Sequence, residues 1–198
     1  MAIAILENRG SANEILIDAS ADGNLKVRVN GTNNRLVVGP NATLHGTLTI
    51  QGHDCSLVIG EGCRLTGDFG CYARGAHLAI GAKTTTTMGT MISLHEAGRI
   101  AIGEDCMFSG QVLLDVSDMH SILDAATGQR LNPARDIRIG NHVWLGQGVF
   151  VAKGTTIGEG SVVGARSMVR GEIPPGVVVA GAPARVVRTG VRWVRERI

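Results

Sequence analysis

His120 is the side chain best placed for chemistry in this chain. It stands in Ser117-Asp118-Met119-His120-Ser121-Ile122, and an imidazole with an ordinary pKa of about 6.5 can take a proton from a hydroxyl near neutral pH. Asp118 lies two residues earlier. In an extended segment both side chains point the same way, so the carboxylate either holds an acceptor or fixes the imidazole tautomer. A second polar pair, His95-Glu96, shares this setting: Asp54, Glu96 and Asp118 each fall sixteen residues after an aliphatic-glycine pair, and His53, His95 and Ser117 fifteen after. One edge of the fold therefore stacks polar groups, where His95 and Glu96 either reach an acceptor bound along it or remain solvated corner residues.

The pairs that set this count are Val38-Gly39, Ile59-Gly60, Ile80-Gly81, Ile102-Gly103, Ile139-Gly140 and Ile157-Gly158, spaced 21, 21, 22, 37 and 18 residues apart. Four residues on from each aliphatic come Ala42, Cys63, Thr84, Cys106, Val143 and Ser161. Six on come Leu44, Leu65, Thr86, Phe108, Leu145 and Val163, and twelve on come Ile50, Cys71, Ile92, Leu114, Val151 and Val169. A six-residue period is too long for a helix face. It fits an all-β coil of three short strands per turn, whose turns stack about 4.8 Å apart so that equivalent residues form ladders. The fold class is thus a three-sided parallel β-helix.

Residues 1–28 hold alternating stretches, Glu14 to Asp18 and Leu25 to Val29, expected to cap the column without sharing its register. The column itself is expected over 29–176, ending where Pro174-Pro175 remove ladder donors. The 37-residue repeat opens one corner into an excursion of 19 extra residues, about 118–136. A rigid scaffold with one enlarged loop is the usual division between platform and functional segment. The tail, 177–198, carries five arginines in its last fourteen residues and is expected to cross the last coil as a short helix or strand.

Composition narrows the function classes. Gly is abundant at 28 of 198 residues and aromatics make up only 3%, which suits tight corners around a narrow interior. With 19 basic against 17 acidic side chains and no basic stripe interleaved with aromatics, a nucleic-acid partner is not expected. Cys63, Cys71 and Cys106 fall on inward files and Cys55 beside one, with no C-x-x-C pair, so they read as small core residues of a protein in a reducing cytoplasm. The apolar start, Met1 to Leu6, is too short for a signal peptide or a membrane span.

The segment Ile139-Gly140-Asn141-His142-Val143-Trp144-Leu145-Gly146, followed by Ile157-Gly158, Val163-Gly164-Ala165 and Gly181-Ala182-Pro183-Ala184-Arg185-Val186-Val187-Arg188, resembles the hexapeptide-repeat acyltransferases. The likeness is to the branch containing galactoside and maltose acetyltransferases and the O-acetyltransferases of surface polysaccharides, and it covers about residues 30–190. The resemblance implies a left-handed coil, which periodicity alone would not select because crossovers are generally right-handed. It also implies a homotrimer that transfers acetyl from acetyl-CoA to a saccharide hydroxyl at grooves between subunits, without a metal. His120 then matches the catalytic base of the family's Asp-x-His segment. Gly146, Gln147, Gly164 and Ala165 would meet the pantetheine arm, Trp144 the thioester, and Arg185 and Arg188 the nucleotide phosphates. Trp144 could instead be a ladder-edge hydrophobe, and the tail arginines could bridge to a neighbouring subunit.

The chain departs from that pattern in places. Gln147 stands where a small hydroxyl residue is common, Arg166 where glycine is usual, and Arg170-Gly171 where Thr-Lys is typical, so that a lysine contact to the CoA phosphates is either lost or replaced by Arg170. Thr86 to Thr90 offers no acceptor-binding Asn, which argues against simple galactosides. Two other readings compete: a zinc-dependent trimer like the gamma-class carbonic anhydrases, for which the six histidines lack the H-x4-H spacing, and a non-catalytic assembly or binding module, which leaves the excursion around His120 unexplained.

Overall fold

The computed structural model describes residues 3–198, and over them the chain winds into a three-walled column of parallel strands without a helix; Met1 and Ala2 of the expected cap lie outside the described residues. Among the described residues no helix is long and apolar enough to cross a membrane. The first wall is a single eight-stranded sheet running from Glu14–Ile17 through Arg35–Val38, Ser56–Ile59, Ala76–Ile80, Gly98–Ile102, Ile137–Ile139 and Thr156–Ile157 to Glu172–Ile173. The second wall carries Thr85–Thr86, Met107–Phe108, Trp144–Leu145, Val162–Val163 and Val177–Gly181; the third carries Thr90–Leu94, Leu113–Asp115, Phe150–Val151 and Met168–Val169. In the upper coils the long strands Asp22–Thr32, Thr43–Ile50 and Arg64–Cys71 turn through both of those walls without a break.

All four files counted from the sequence point inward: the residues following each aliphatic-glycine pair by four, six and twelve are buried, as are the pair aliphatics themselves. Each coil thus hides its branched side chains against its own repeats above and below, and burying one such side chain contributes roughly 1.5–3 kcal/mol before chain entropy is subtracted. The pair glycines sit where successive coils turn in close contact. A Cβ at Gly60 would lie 2.6 Å from the Ala82 nitrogen of the next coil, and one at Gly140 would lie 2.8 Å from the Glu159 nitrogen. The cysteines fill the inward files as expected, and burial pushes the Cys63 and Cys106 thiols up to about 11 and Cys71 to about 12, where they are poor nucleophiles.

The two ends differ from the sequence expectation. The segment expected to cap the column out of register is itself coiled in register: Ile15 pairs with Leu36 and Ile17 with Val38, the 21-residue step of the coils below. The top strand, Ala4–Ser11, lies parallel to the strand beneath it, with one irregularity between Ile5 and Glu7 that obscures its period. At the other end, Pro174-Pro175 do not stop the ladder, because they occupy a corner. Pro174 O accepts from Ser161 Oγ at 2.8 Å, and the wall strand Val177–Gly181 resumes parallel pairing with Val162–Val163. The column therefore runs to Gly181, where the chain reverses and Ala184–Thr189 pairs antiparallel with that strand.

Candidate active site

The excursion leaves the corner between the third and first walls after Leu113–Asp115 and rejoins at Ile137–Ile139. It starts with a tight turn: Met119 has φ 64°, and His120 N–H donates to Asp118 O at 2.7 Å. Asp118 and His120 are therefore not in the extended register that would aim both side chains together. The loop has its own short antiparallel bridge, Leu123 to Arg130, and polar anchors tie it to the coils on either side.

Upward, Arg130 grips the Glu96 carboxylate with both arms, at 2.6 and 2.7 Å, and Ser117 Oγ donates to the same group. Arg130, with Ser117 second, lowers the Glu96 carboxyl to about 2. Downward, Lys153 Nζ reaches Asp118 Oδ2 at 2.6 Å and Asn132 O at 2.8 Å, while Asn132 Nδ2 donates to Asp118 Oδ2 and to His120 O, both at 2.8 Å. Lys153, then Asn132, holds the Asp118 carboxyl below its ordinary range. Both carboxylates that the sequence nominated for acceptor or tautomer work are engaged in holding the loop. The His120 ring is exposed and has no hydrogen-bond partner among the described residues. The result is a fixed backbone presenting a free imidazole.

One coil above, His95 Nδ1 lies 2.6 Å from Asp115 Oδ2, and its ring stacks on Tyr72 with centroids 4.9 Å apart at 10°. Asp115 Oδ1 also accepts from Ser117 N at 3.0 Å. Of the two His95 nitrogens, Nε2 is the one left open. Beneath the loop a cleft of about 410 Å³ is lined by Asp118, Arg135, Phe150, Lys153, Met168 and Arg170 among others. Asp118 is its single carboxylate against three cations, and the Arg135 and Arg170 guanidinium groups have no acceptor among the described residues.

The remaining nominated residues lie elsewhere. Gly146, Gln147, Gly164 and Ala165 form the corner between the second and third walls, beside a second cleft of about 470 Å³ lined by Thr87, Met88, Gly89, Gly110, Gln111 and Gln147. The Gly146 and Gly164 N–H groups are occupied by ladder bonds to Val163 O and Val179 O, each at 2.8 Å. Trp144 faces outward, half-buried, on the second wall with its Nε1 3.4 Å from Ser109 Oγ; Arg185 and Arg188 are exposed on the final hairpin strand. Within one chain, His95, Glu96, Asp118, His120 and Arg170 are thus separated by the third wall from the Gly146 and Gly164 corner. That wall is apolar outside: Met91, Leu113 and Phe150 are 45%, 37% and 38% exposed and stack in ladder register.

Arg130, Asn132 and Lys153, which hold the loop, and Asp115 and Tyr72, which hold His95, escaped sequence reasoning. Lys153 had a signal, since it occupies the excursion's corner one coil later. Arg130 and Asn132 had none, because a loop outside the repeat has no register to count from. Among the described residues no three His, Cys, Asp or Glu side chains gather into a metal-holding group.

A family model for bacterial transferase hexapeptide (six repeats) matches residues 136–171. The chain is 32% identical over 147 residues to a polysialic acid O-acetyltransferase of Neisseria meningitidis, covering 73% of this chain and 68% of that protein. It is 37% identical over 122 residues to a polysialic acid O-acetyltransferase of Escherichia coli O1:K1 / APEC, covering 62% of this chain and 39% of the other. In three dimensions it superposes on the crystal structure of the polysialic acid-specific acetyltransferase NeuO with a TM-score of 0.85 at 30% identity, over 98% of this chain and 90% of that one. For the polysialic acid O-acetyltransferase OatWY the TM-score is 0.83 at 28% identity, over 96% and 93%.

Proposed function

The chain belongs to the hexapeptide-repeat, left-handed β-helix acetyltransferases, and from that premise we propose that it moves an acetyl group from acetyl-CoA to a hydroxyl of an acidic, sialic acid-type polysaccharide, with His120 as general base. The observation that carries this reading is the free His120 imidazole held out from the column on a backbone pinned from both sides. In a ternary complex the imidazole takes the acceptor hydroxyl proton as the oxygen attacks the acetyl carbonyl. The tetrahedral intermediate then expels the CoA thiolate, which receives the proton from the imidazolium. No side chain becomes acetylated, and the ring returns to its starting state.

The acidic acceptor is supported by the polysialic acid O-acetyltransferase relatives and by the cationic cleft of Arg135, Lys153 and Arg170 below the base. A polymer with a carboxylate on each sugar suits that lining. A homotrimer is supported by the split of the nominated residues between two corners and by the apolar outer face of the third wall, which together favour pairing the His120 corner of one protomer with the Gly146 corner of its neighbour. Thiol release from acetyl-CoA tests the reading. Polysialic acid is expected to stimulate it strongly, with the stimulation falling as salt rises, while a neutral glucan stimulates little; equal stimulation by both would overturn the acidic acceptor.

A further inference from the structure

Beyond the final hairpin the chain turns back along the column. Val191 N–H donates to Gly176 O at 3.0 Å. Trp193, only 6% exposed, stacks on His142 with centroids 4.0 Å apart at 6°, and its indole N–H donates to His142 O at 2.8 Å. In return, His142 Nε2 lies 3.1 Å from Trp193 O, while its Nδ1 lies 2.7 Å from Asp105 Oδ2. Two residues on, Arg195 spreads across Asp105 Oδ1 at 2.9 Å, Cys106 O at 3.1 Å and Thr85 Oγ1 at 3.1 Å. The chain end is thereby tied to three successive coils at the edge of the second wall.

What this segment touches gives it a purpose. Trp193 meets Trp144 with centroids 6.0 Å apart at 48°. Trp144 projects from the wall in register between Met107 and Val162, so its neighbours above and below belong to the ladder and its lateral neighbour belongs to the returning tail. From the coil above, the Trp144 indole has only one long contact, Nε1 to Ser109 Oγ at 3.4 Å, and the bulky Trp193, held by its own hydrogen bonds, packs against the ring from the side.

We propose that residues 190–196 form a strap that sets the Trp144 indole for the acetyl-CoA end of the reaction, with Trp193 as the positioning residue and His142, Asp105 and Arg195 as its anchors. The proposal rests on the reading that Trp144 lies beside the donor thioester. The strap does no chemistry and needs no contact with either substrate; it acts through the orientation of one side chain.

Steady-state kinetics on the full chain tests it. Trp193→Ala is expected to raise the KM for acetyl-CoA about tenfold, since small misplacements of a positioning group are costly, and to leave the KM for the polysaccharide unchanged. Trp193→Phe keeps the stack on His142 and is expected to restore the acetyl-CoA KM to near wild type. The chain has two tryptophans, so both variants leave Trp144 as sole reporter; its fluorescence should be more accessible to acrylamide in Trp193→Ala than in Trp193→Phe. Arg195→Ala, which leaves both indoles in place, should show the same KM effect at about threefold and serves if Trp193→Ala does not fold. An unchanged acetyl-CoA KM in Trp193→Ala or, where that protein is unfolded, in Arg195→Ala would overturn the strap, provided Trp144→Ala is impaired. An unimpaired Trp144→Ala would instead remove the donor reading of Trp144 on which the strap depends.

Discussion

The column and its excursion are built from opposite materials. In the column, stability comes from repetition: each inward side chain packs on its own equivalents, and a position such as Phe108 is fully buried between Thr86 and Leu145 in the ladder. In the excursion, almost nothing is buried, and order comes from a few ionic contacts that reach from Glu96 above to Lys153 below. Exposed ion pairs contribute only about 0–1 kcal/mol each to folding, so the loop has a defined shape without adding much to global stability. The division lets the loop carry the proposed base, His120, while the column carries the fold.

Substitutions should separate the two. The largest effect is expected from Phe108→Ala, which opens a cavity in the column and should cost about 3–5 kcal/mol; thermal or denaturant unfolding would show it, while the protein that remains folded should keep its kcat. A melting temperature unchanged by this variant would mean the ladders are not the source of stability. Smaller in free energy but directed at chemistry, Arg130→Ala should lower kcat about tenfold by loosening the His120 backbone, with a melting shift of no more than a few degrees. If unfolding and kcat moved together in both proteins, the contrast between regions would fail.

The mildest expected effect is on pH. Arg130 and Ser117 hold the folded Glu96 carboxyl at about 2 against an ordinary 4.5. A depressed folded value means that this clamp's contribution is complete above 4.5 and is lost as pH falls toward about 2. Hydrogen exchange of loop amides, corrected for intrinsic rates, should therefore stay flat from neutral pH down to about 4.5 and rise below it, with a smaller rise in Glu96→Gln, where the Asp118 anchor to Lys153 is the one left to titrate. Protection already lost near pH 6 would assign the clamp to other groups.

The column was legible because a repeat announces itself: six aliphatic-glycine pairs were enough to place four inward files, and all of them are buried. The ends were less so, since the irregularity near Ile5 masks the period of the first coil and a proline pair looks like a terminator until it is seen to occupy a corner. His120 was legible as a loop histidine beside a polar stack. Its supports were not, because the partners Glu96 and Arg130 lie 34 residues apart, and His142 and Trp193 lie 51 apart, outside any period. Asp118 shows the limit of local spacing: two residues from His120, it was paired with the imidazole by alternation, yet the left-handed turn at Met119 gives its carboxylate to Lys153 instead.

The proposed role of the His120 imidazole as the base of an acetyl transfer can be measured outright. Its most direct test is thiol release from acetyl-CoA with polysialic acid as acceptor, comparing His120→Ala with the native chain at matched folded concentration. The variant is expected to lose about 10²–10⁴-fold in kcat, with acetyl-CoA binding and melting temperature retained. Turnover near that of the native chain would contradict it.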